Sequence, residues 1–254
     1  MKFEKAGGGL PEKERLFIRV FLVPLVRVLM NWTIARFLIK REVKIINNLV
    51  KNISTKNLQQ KMAIDRTFAI EDNSRQFSIN EILEHLVIAG NLVKNVIETL
   101  SQEKDVDFDI KIEDVKPKEN KQNKIKEFLE FYDKYDSFIK YLPKKQSKKT
   151  KAHPWFVRFN NFDWNVFMFM HTFIHRRQIE AILDIQNNKK RFLSNALKTI
   201  FIAGLLLTTI LICWFLVVSI IYFMINIEFN FQILLLIFIT YLVLKAFYPK
   251  NVFR

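Results

Sequence analysis

Between residues 33 and 190 apolar side chains recur at three- and four-residue steps, the period of an α-helix with one buried face. Ile34, Phe37, Leu38, Ile45, Ile46, Leu49, Val50 and Ile53 mark the first such face. A loop with Asn73 and Ser74 ends at Phe77, and Ser78 then predicts a helix start. Its hydroxyl can accept an N-terminal amide while Glu81, three positions on, reaches back, and Phe77 and Ile82 sit where an apolar staple would. The stripe of Ile82, Leu83, Leu86, Ala89, Leu92, Val93 and Val96 carries this second helix to about Leu100. The charged stretch from Ser101 to Asn120, with Pro117, has little to bury and predicts a linker or a long surface crossing. A third helix is expected from about Lys121, with Ile125, Phe128, Leu129, Tyr132, Tyr135, Ile139 and Leu142 on one face until Pro143. Asn160, with Asp163 three positions on, caps a fourth from about Phe162 to Asn187. Four amphipathic helices of this kind close most simply as a bundle, so the expected class is all-α.

The two ends of the chain break this pattern. Residues 199 to 244 carry one charge, Glu228, and the uncharged run from Thr199 to Ile227 exceeds the roughly 20 apolar residues that cross a bilayer as a helix. A second, marginal crossing runs from about Phe229 to Tyr248 if Lys245 snorkels, with Asn226, Glu228 and Asn230 in the turn. The expected organisation is therefore an N-terminal segment 1–32, a bundle 33–190 and a transmembrane helical hairpin 199–248, its spans at about 199–225 and 230–248. Residues 16 to 30 are apolar but interrupted by Arg19, Arg27 and Pro24. They predict a helix on a membrane or packed across the domain, with a third membrane segment as the competing idea. Mixed charge and the lack of a small-residue cleavage site argue against a secretory signal. Gly7, Gly8 and Gly9 are followed by no GK[ST] and do not read as a phosphate loop.

Charge sharpens the expected topology. Lys and Arg number 40 against 25 Asp and Glu, a net +15. Lys189, Lys190, Arg191 and Lys198 precede the first apolar run, and Lys245, Lys250 and Arg254 follow the second. The positive-inside bias then puts the bundle and the C-terminus in the cytoplasm, with anionic membrane lipid as the partner of the basic flanks. Nucleic acid is not expected, since no zinc-finger spacing or RNA-binding aromatic signature accompanies the cluster from Lys144 to Lys151. One cysteine, Cys213, excludes a disulfide scaffold.

Candidate chemistry rests on four histidines. His171 and His175, four apart, project from one side of the fourth helix as a bidentate clip. His85 lies one turn into the second helix between apolar neighbours, where an unpaired imidazole loses hydrogen bonds on burial. Three neutral imidazoles with an open position would suit zinc, nickel or iron and could activate water or a thiol. The spacing HxxxH is weak alone, and satisfied core histidines remain the plainer alternative.

His153-Pro154-Trp155-Phe156, then Trp164, then His171-Thr172-Phe173-Ile174-His175-Arg176-Arg177-Gln178-Ile179 resembles the last helix and lead-in of the DinB-like four-helix metalloproteins. The run from Phe77 to Leu86 resembles that family's second helix, and the likeness covers about residues 33 to 187. The resemblance implies an up-down-down-up bundle whose divalent metal is held by His85, His171 and His175. It also implies relatives among thiol-dependent S-transferases and isomerases. Val157 stands where some relatives have glycine, and the apolar C-terminal hairpin is not part of the family pattern.

Two functional classes follow. One is a membrane-anchored divalent-metal enzyme of S-transferase or hydrolase type, using a low-molecular-weight thiol or another small-molecule substrate. The other is a non-catalytic helical module binding a protein or lipid, with a homodimer left open. Around the metal, Gln178 is a candidate to orient His175, and His153 is either a loop residue or a proton relay. Trp155, Phe156, Trp164, Phe167 and Met168 read as core and mouth packing. Arg176 and Arg177 read as solvated, and no general base stands out, since Glu81 and Glu84 suit the helix start and surface equally well.

Overall fold

The computed structural model describes residues 7–118, 120–186, 202, 204–205, 207–219 and 230–247. The chain forms two compact units, Met1–Lys189 and Lys190–Arg254. The first contains α1 (Glu12–Phe17), a π-helical turn (Ile18–Leu22), α2 (Val23–Leu29), α3 (Trp32–Val50), α4 (Thr55–Gln59), α5 (Ile79–Ser101), α6 (Ile125–Tyr141) and α7 (Asn161–Gln186). In the second lie α8 (Leu207–Ser219) and α9 (Asn230–Phe247). Among the described residues, β structure is limited to the antiparallel pair β1 (Lys151–Ala152) and β2 (Arg158–Phe159). The all-α class is thus observed.

Local chemistry sets where the long helices begin. Asn31 caps α3 by accepting from the Ile34 amide at 2.9 Å, a cap the apolar pattern alone does not mark. Ser78 and Glu81 form the reciprocal box expected at α5: the Glu81 amide donates to Ser78 Oγ at 3.1 Å and the Ser78 amide to Glu81 Oε2 at 2.8 Å. Asn160 and Asp163 exchange the equivalent bonds at 2.8 and 3.2 Å before α7. The third helix starts at Ile125, later than the periodicity suggests. The amide of Lys124, the cap residue just before it, donates to Asn80 Oδ1 of α5 at 2.9 Å, while Asn80 Nδ2 donates to the Gln122 carbonyl at 2.8 Å. A side chain of α5 therefore fixes the start of α6.

Side-chain contacts give the helix directions. Asn161 at the start of α7 bonds Ser101 at the end of α5 (2.9 Å), while the middle of α7 meets the first turns of α5 at His171 and His85, so these two run antiparallel. Tyr132 meets Thr172 (2.7 Å) and Tyr135 meets Asn165 (3.0 Å), so α6 also opposes α7. Trp32 packs on Phe162 (5.4 Å between rings) and Glu42 pairs with Arg176, which sets α3 parallel to α7. The core between them holds Ile39, Ile46, Leu83, Leu86, Phe128, Tyr135, Trp164, Met168 and Ile182. At Gly90 a Cβ would collide with the Phe131 ring and the Met168 methyl, so glycine is what lets α5, α6 and α7 approach so closely.

The segment before α3 lies across this unit. Arg19 donates from Nε and Nη2 to the Trp155 carbonyl (3.0 and 2.7 Å), and Arg27 makes a two-pronged pair with Asp163 (3.0 and 2.7 Å). Residues 16–30 pack on the domain, and the two arginines that interrupt the apolar run are their fasteners. Gly7 and Gly9 adopt positive φ (79° and 85°), and their amides bond the Glu71 carboxylate.

The expected membrane location, with two C-terminal spans and a cytoplasmic bundle and C-terminus, is overturned. Among the described residues no single helix is long and apolar enough to cross a bilayer. Within the C-terminal unit the described residues give a short apolar helix, α8, and the 18-residue α9, and no transmembrane hairpin is shown among them. Glu12–Leu29 and Trp32–Val50 are long and apolar enough to cross only as a pair, which is bent by 107°, and α3 buries Ala35, Ile39, Ile46 and Val50 in the core. The turn residues Asn226 and Glu228 and the flanks Lys189, Lys190, Arg191, Lys198, Lys250 and Arg254 lie outside the described residues.

Candidate metal centre

Three histidines from two helices meet inside the first unit. One potential ligand nitrogen from each of His85, His171 and His175 lies within 4.8 Å of the other two. The rings stand 5.0 Å (His85 and His171), 4.7 Å (His85 and His175) and 4.6 Å (His171 and His175) apart by their centroids. The spacing of four along α7 puts two of them together, and the antiparallel pairing of α5 with α7 brings the third.

Outer hydrogen bonds decide which nitrogens face inward. His85 Nδ1 lies 2.6 Å from the Val115 carbonyl, which can only accept, so Nδ1 carries the proton and Nε2 a lone pair. Gln178 Nε2 donates to the Ser74 carbonyl at 2.6 Å, leaving Oε1 to accept from His175 Nδ1–H at 2.8 Å. That again frees Nε2. Such outer partners hold a ring in the tautomer and orientation a metal needs. His171 differs: its buried Nδ1 has no hydrogen-bond partner, while its Nε2 lies 3.0 Å from His85 Nε2. Two imidazole nitrogens bound tetrahedrally at 2.0–2.1 Å to one zinc ion would stand about 3.3 Å apart.

Burial favours the neutral rings that ligation requires. It pushes the His85 imidazolium pKa down against the opposing pull of the Val115 bond, lowers that of His171 well below the usual histidine range, where a second imidazolium beside His175 or His85 would also be repelled, and brings His175 to about 3. The residues present fit a divalent metal on donor type and charge state and, at His85 and His175, on tautomer.

His153 is not among the clustered nitrogens. The β1–β2 hairpin holds it, with its amide donating to Val157 O at 3.1 Å and its Nδ1 accepting the Trp155 amide at 3.2 Å. Its ring stacks on Phe156 (4.4 Å) and meets Phe167 (4.7 Å), whose ring in turn stacks on His171 (5.3 Å). Burial lowers its pKa to about 3. Glu81 and Glu84 are engaged elsewhere, Glu81 with its cap and Lys61 (2.8 Å), Glu84 with Lys124 (3.6 Å). Arg176 is not solvated but joins Glu42 and Glu180, whereas Trp164 and Met168 are core residues.

Beside the histidines opens a cavity of about 300 Å³. Its wall includes His85, His171, His175 and His153, the α5 residues Ala89 and Val93, and Ile18, Leu22 and Val26 from the N-terminal segment. Periodicity did not reveal three of the parts. Val115, in the stretch expected to have little to bury, is buried and anchors His85. The Ser74 backbone orients Gln178. Glu71 lines the cavity with a buried, unpartnered Oε1, and burial raises its pKa. The Gly7–Gly9 run, as a nest for an anionic side chain, was the one available signal for it. Compared with known proteins, the chain matches no family model, no curated protein and no solved structure.

Proposed function

We propose that the protein is a divalent-metal-dependent enzyme of the DinB-like type, in which His85, His171 and His175 hold the ion. The observation that carries this reading is the inward-facing trio: two of its rings are oriented from behind by Val115 and Gln178, and all three are kept neutral by burial. The helix directions lend support to an up-down-down-up bundle, since α3 runs with α7 while α5 and α6 run against it. A metal there would supply Lewis acidity for activating a thiol or water. His85 and His175 would present Nε2 lone pairs, Gln178 would prevent His175 from turning, and the aromatic wall of Phe156 and Phe167 would exclude bulk water. Glu71 offers a carboxyl on the same cavity for holding a proton.

The test is metal analysis of the purified full-length chain. About one zinc, nickel or iron per chain, lost in His85→Ala, His171→Ala and His175→Ala proteins that keep their helical signal, is the expected result. Metal-free wild type that cannot be loaded with any of the three would overturn the reading and leave the non-catalytic module.

A further inference from the structure

The cavity beside the histidines is built almost entirely from hydrocarbon and aromatic surface. Ala89 and Val93 on α5, Phe167 on α7, Ile110 from the α5–α6 connection and Val26 from α2 contribute to one continuous apolar wall. Its polar groups gather at few points. His85, His171 and His175 form one patch, and Glu71 and Ser74 line the same space. Two cations line it, Arg27 on α2, which is paired with Asp163 in the same wall, and Arg177 on the exposed side of α7. At about 300 Å³ the space is twice the roughly 150 Å³ apolar cavity that stays dry and takes up benzene.

We propose that this cavity binds a predominantly apolar molecule with a single polar head, the head directed at the three histidines and the hydrocarbon tail along α5 and α2. The proposal rests on the metal reading for its head and on the wall for its tail. A peptide-like thiol with several charges would lose its hydration against a wall that is mostly hydrocarbon and aromatic, an expensive burial, so the substrate class is the alkyl or aryl compound rather than the zwitterionic thiol. The volume suits a chain of roughly eight to ten carbons or two fused rings, scaled from the benzene-sized cavity. The N-terminal segment supplies part of the wall, giving Arg19 and Arg27 a purpose as the ties that keep it in place.

The probes are straight-chain alkyl hydroxamic acids of four to twelve carbons, titrated calorimetrically into the full-length metal-loaded protein, with glutathione as the polar competitor. Affinity should rise by up to about fourfold per methylene, then level off near eight to ten carbons. Glutathione should compete at least about a hundredfold less well than the octyl compound. Affinity independent of chain length, or equal competition by glutathione, would overturn the proposal. Repeating the series on metal-stripped protein separates the two readings. A slope that persists while the advantage of hydroxamates over the matching alkyl amides disappears supports both. A persistent slope with no effect of metal sinks the metal reading alone, and a flat series on metal-loaded protein sinks the cavity proposal alone. Ala89→Phe and, should that protein fail to fold, Val26→Phe should move the levelling point to shorter chains. An unmoved levelling point in a folded variant would also overturn the assignment.

Discussion

The interior of the first unit buries tyrosine hydroxyls and histidine rings in two neighbouring layers, and they are treated in opposite ways. Around Tyr132 and Tyr135 the hydroxyls have protein partners: Tyr132 donates to Thr172 Oγ1 at 2.7 Å, Thr172 passes its own proton to the Met168 carbonyl at 2.7 Å, and Tyr135 donates to Asn165 Oδ1 at 3.0 Å. Burial raises both phenol pKa values, so these groups stay neutral hydrogen-bond donors. One residue away along α7 from Thr172, His171 sits in a layer where the outer nitrogens of His85 and His175 are satisfied but the inner ones face each other. A polar group answered by the protein holds the fold together. Polar groups whose open valences converge are arranged for something the protein does not itself provide.

The hardest way to break this contrast is to remove a member of the second layer. Any one of His85→Ala, His171→Ala or His175→Ala should lower metal affinity by more than about a hundredfold, beyond the 10–100-fold typical of outer-partner losses. Retention of stoichiometric metal in all three, measured by elemental analysis, would make the two layers equivalent. Gln178→Ala should fall inside that 10–100-fold range, because it frees the His175 ring without deleting a ligand, and competition with a chelating dye reads the difference.

Acid should separate the layers next. His153 and His175 have folded-state pKa values lowered to about 3, below an unfolded value near 6.5. Between those limits the unfolded chain binds more protons, so stability of the metal-free protein falls as pH drops through this window, by up to about 1.4 kcal/mol per pH unit per histidine. Above about pH 6.5 these groups contribute no slope. A flat denaturation midpoint from pH 6.5 to 4 would show that they are not buried neutral. Gly90→Ala should cost about 1–3 kcal/mol by overpacking Phe131 and Met168, despite alanine's better helix propensity, as urea unfolding would report. The smallest effect belongs to the first layer. Tyr135→Phe should lower stability by about 1 kcal/mol and leave metal affinity unchanged; any loss of metal there would blur the distinction.

Much of this arrangement is legible along the chain because it depends on local spacing. Ser78 with Glu81 and Asn160 with Asp163 announce helix starts through bonds that span three residues, and the structure forms both. His171 and His175 share a face because four residues make about one helical turn. The start of α6 lies later than the periodicity suggests, because Asn80, from a different helix, holds the amide of its cap residue Lys124. For the C-terminal apolar run, composition measures how much apolar surface exists, whereas among the described residues no single helix is long and apolar enough to cross a membrane.

The amino-acid order by itself determined the helical class, the capped starts of α5 and α7 and the candidate ligands His85, His171 and His175. Each depends on residues within a turn or two of one another, or on matching short runs to a family pattern. Only tertiary structure decided that Val115 and Ser74 anchor the rings or their support, that Glu71 is buried beside them, and that the N-terminal segment walls an apolar cavity. Those contacts join residues 30 to 136 positions apart, and three of them, His85 to Val115, Gln178 to Ser74 and Arg19 to Trp155, end on backbone carbonyls. Every residue has a backbone carbonyl, so no side-chain pattern can announce which one will be used.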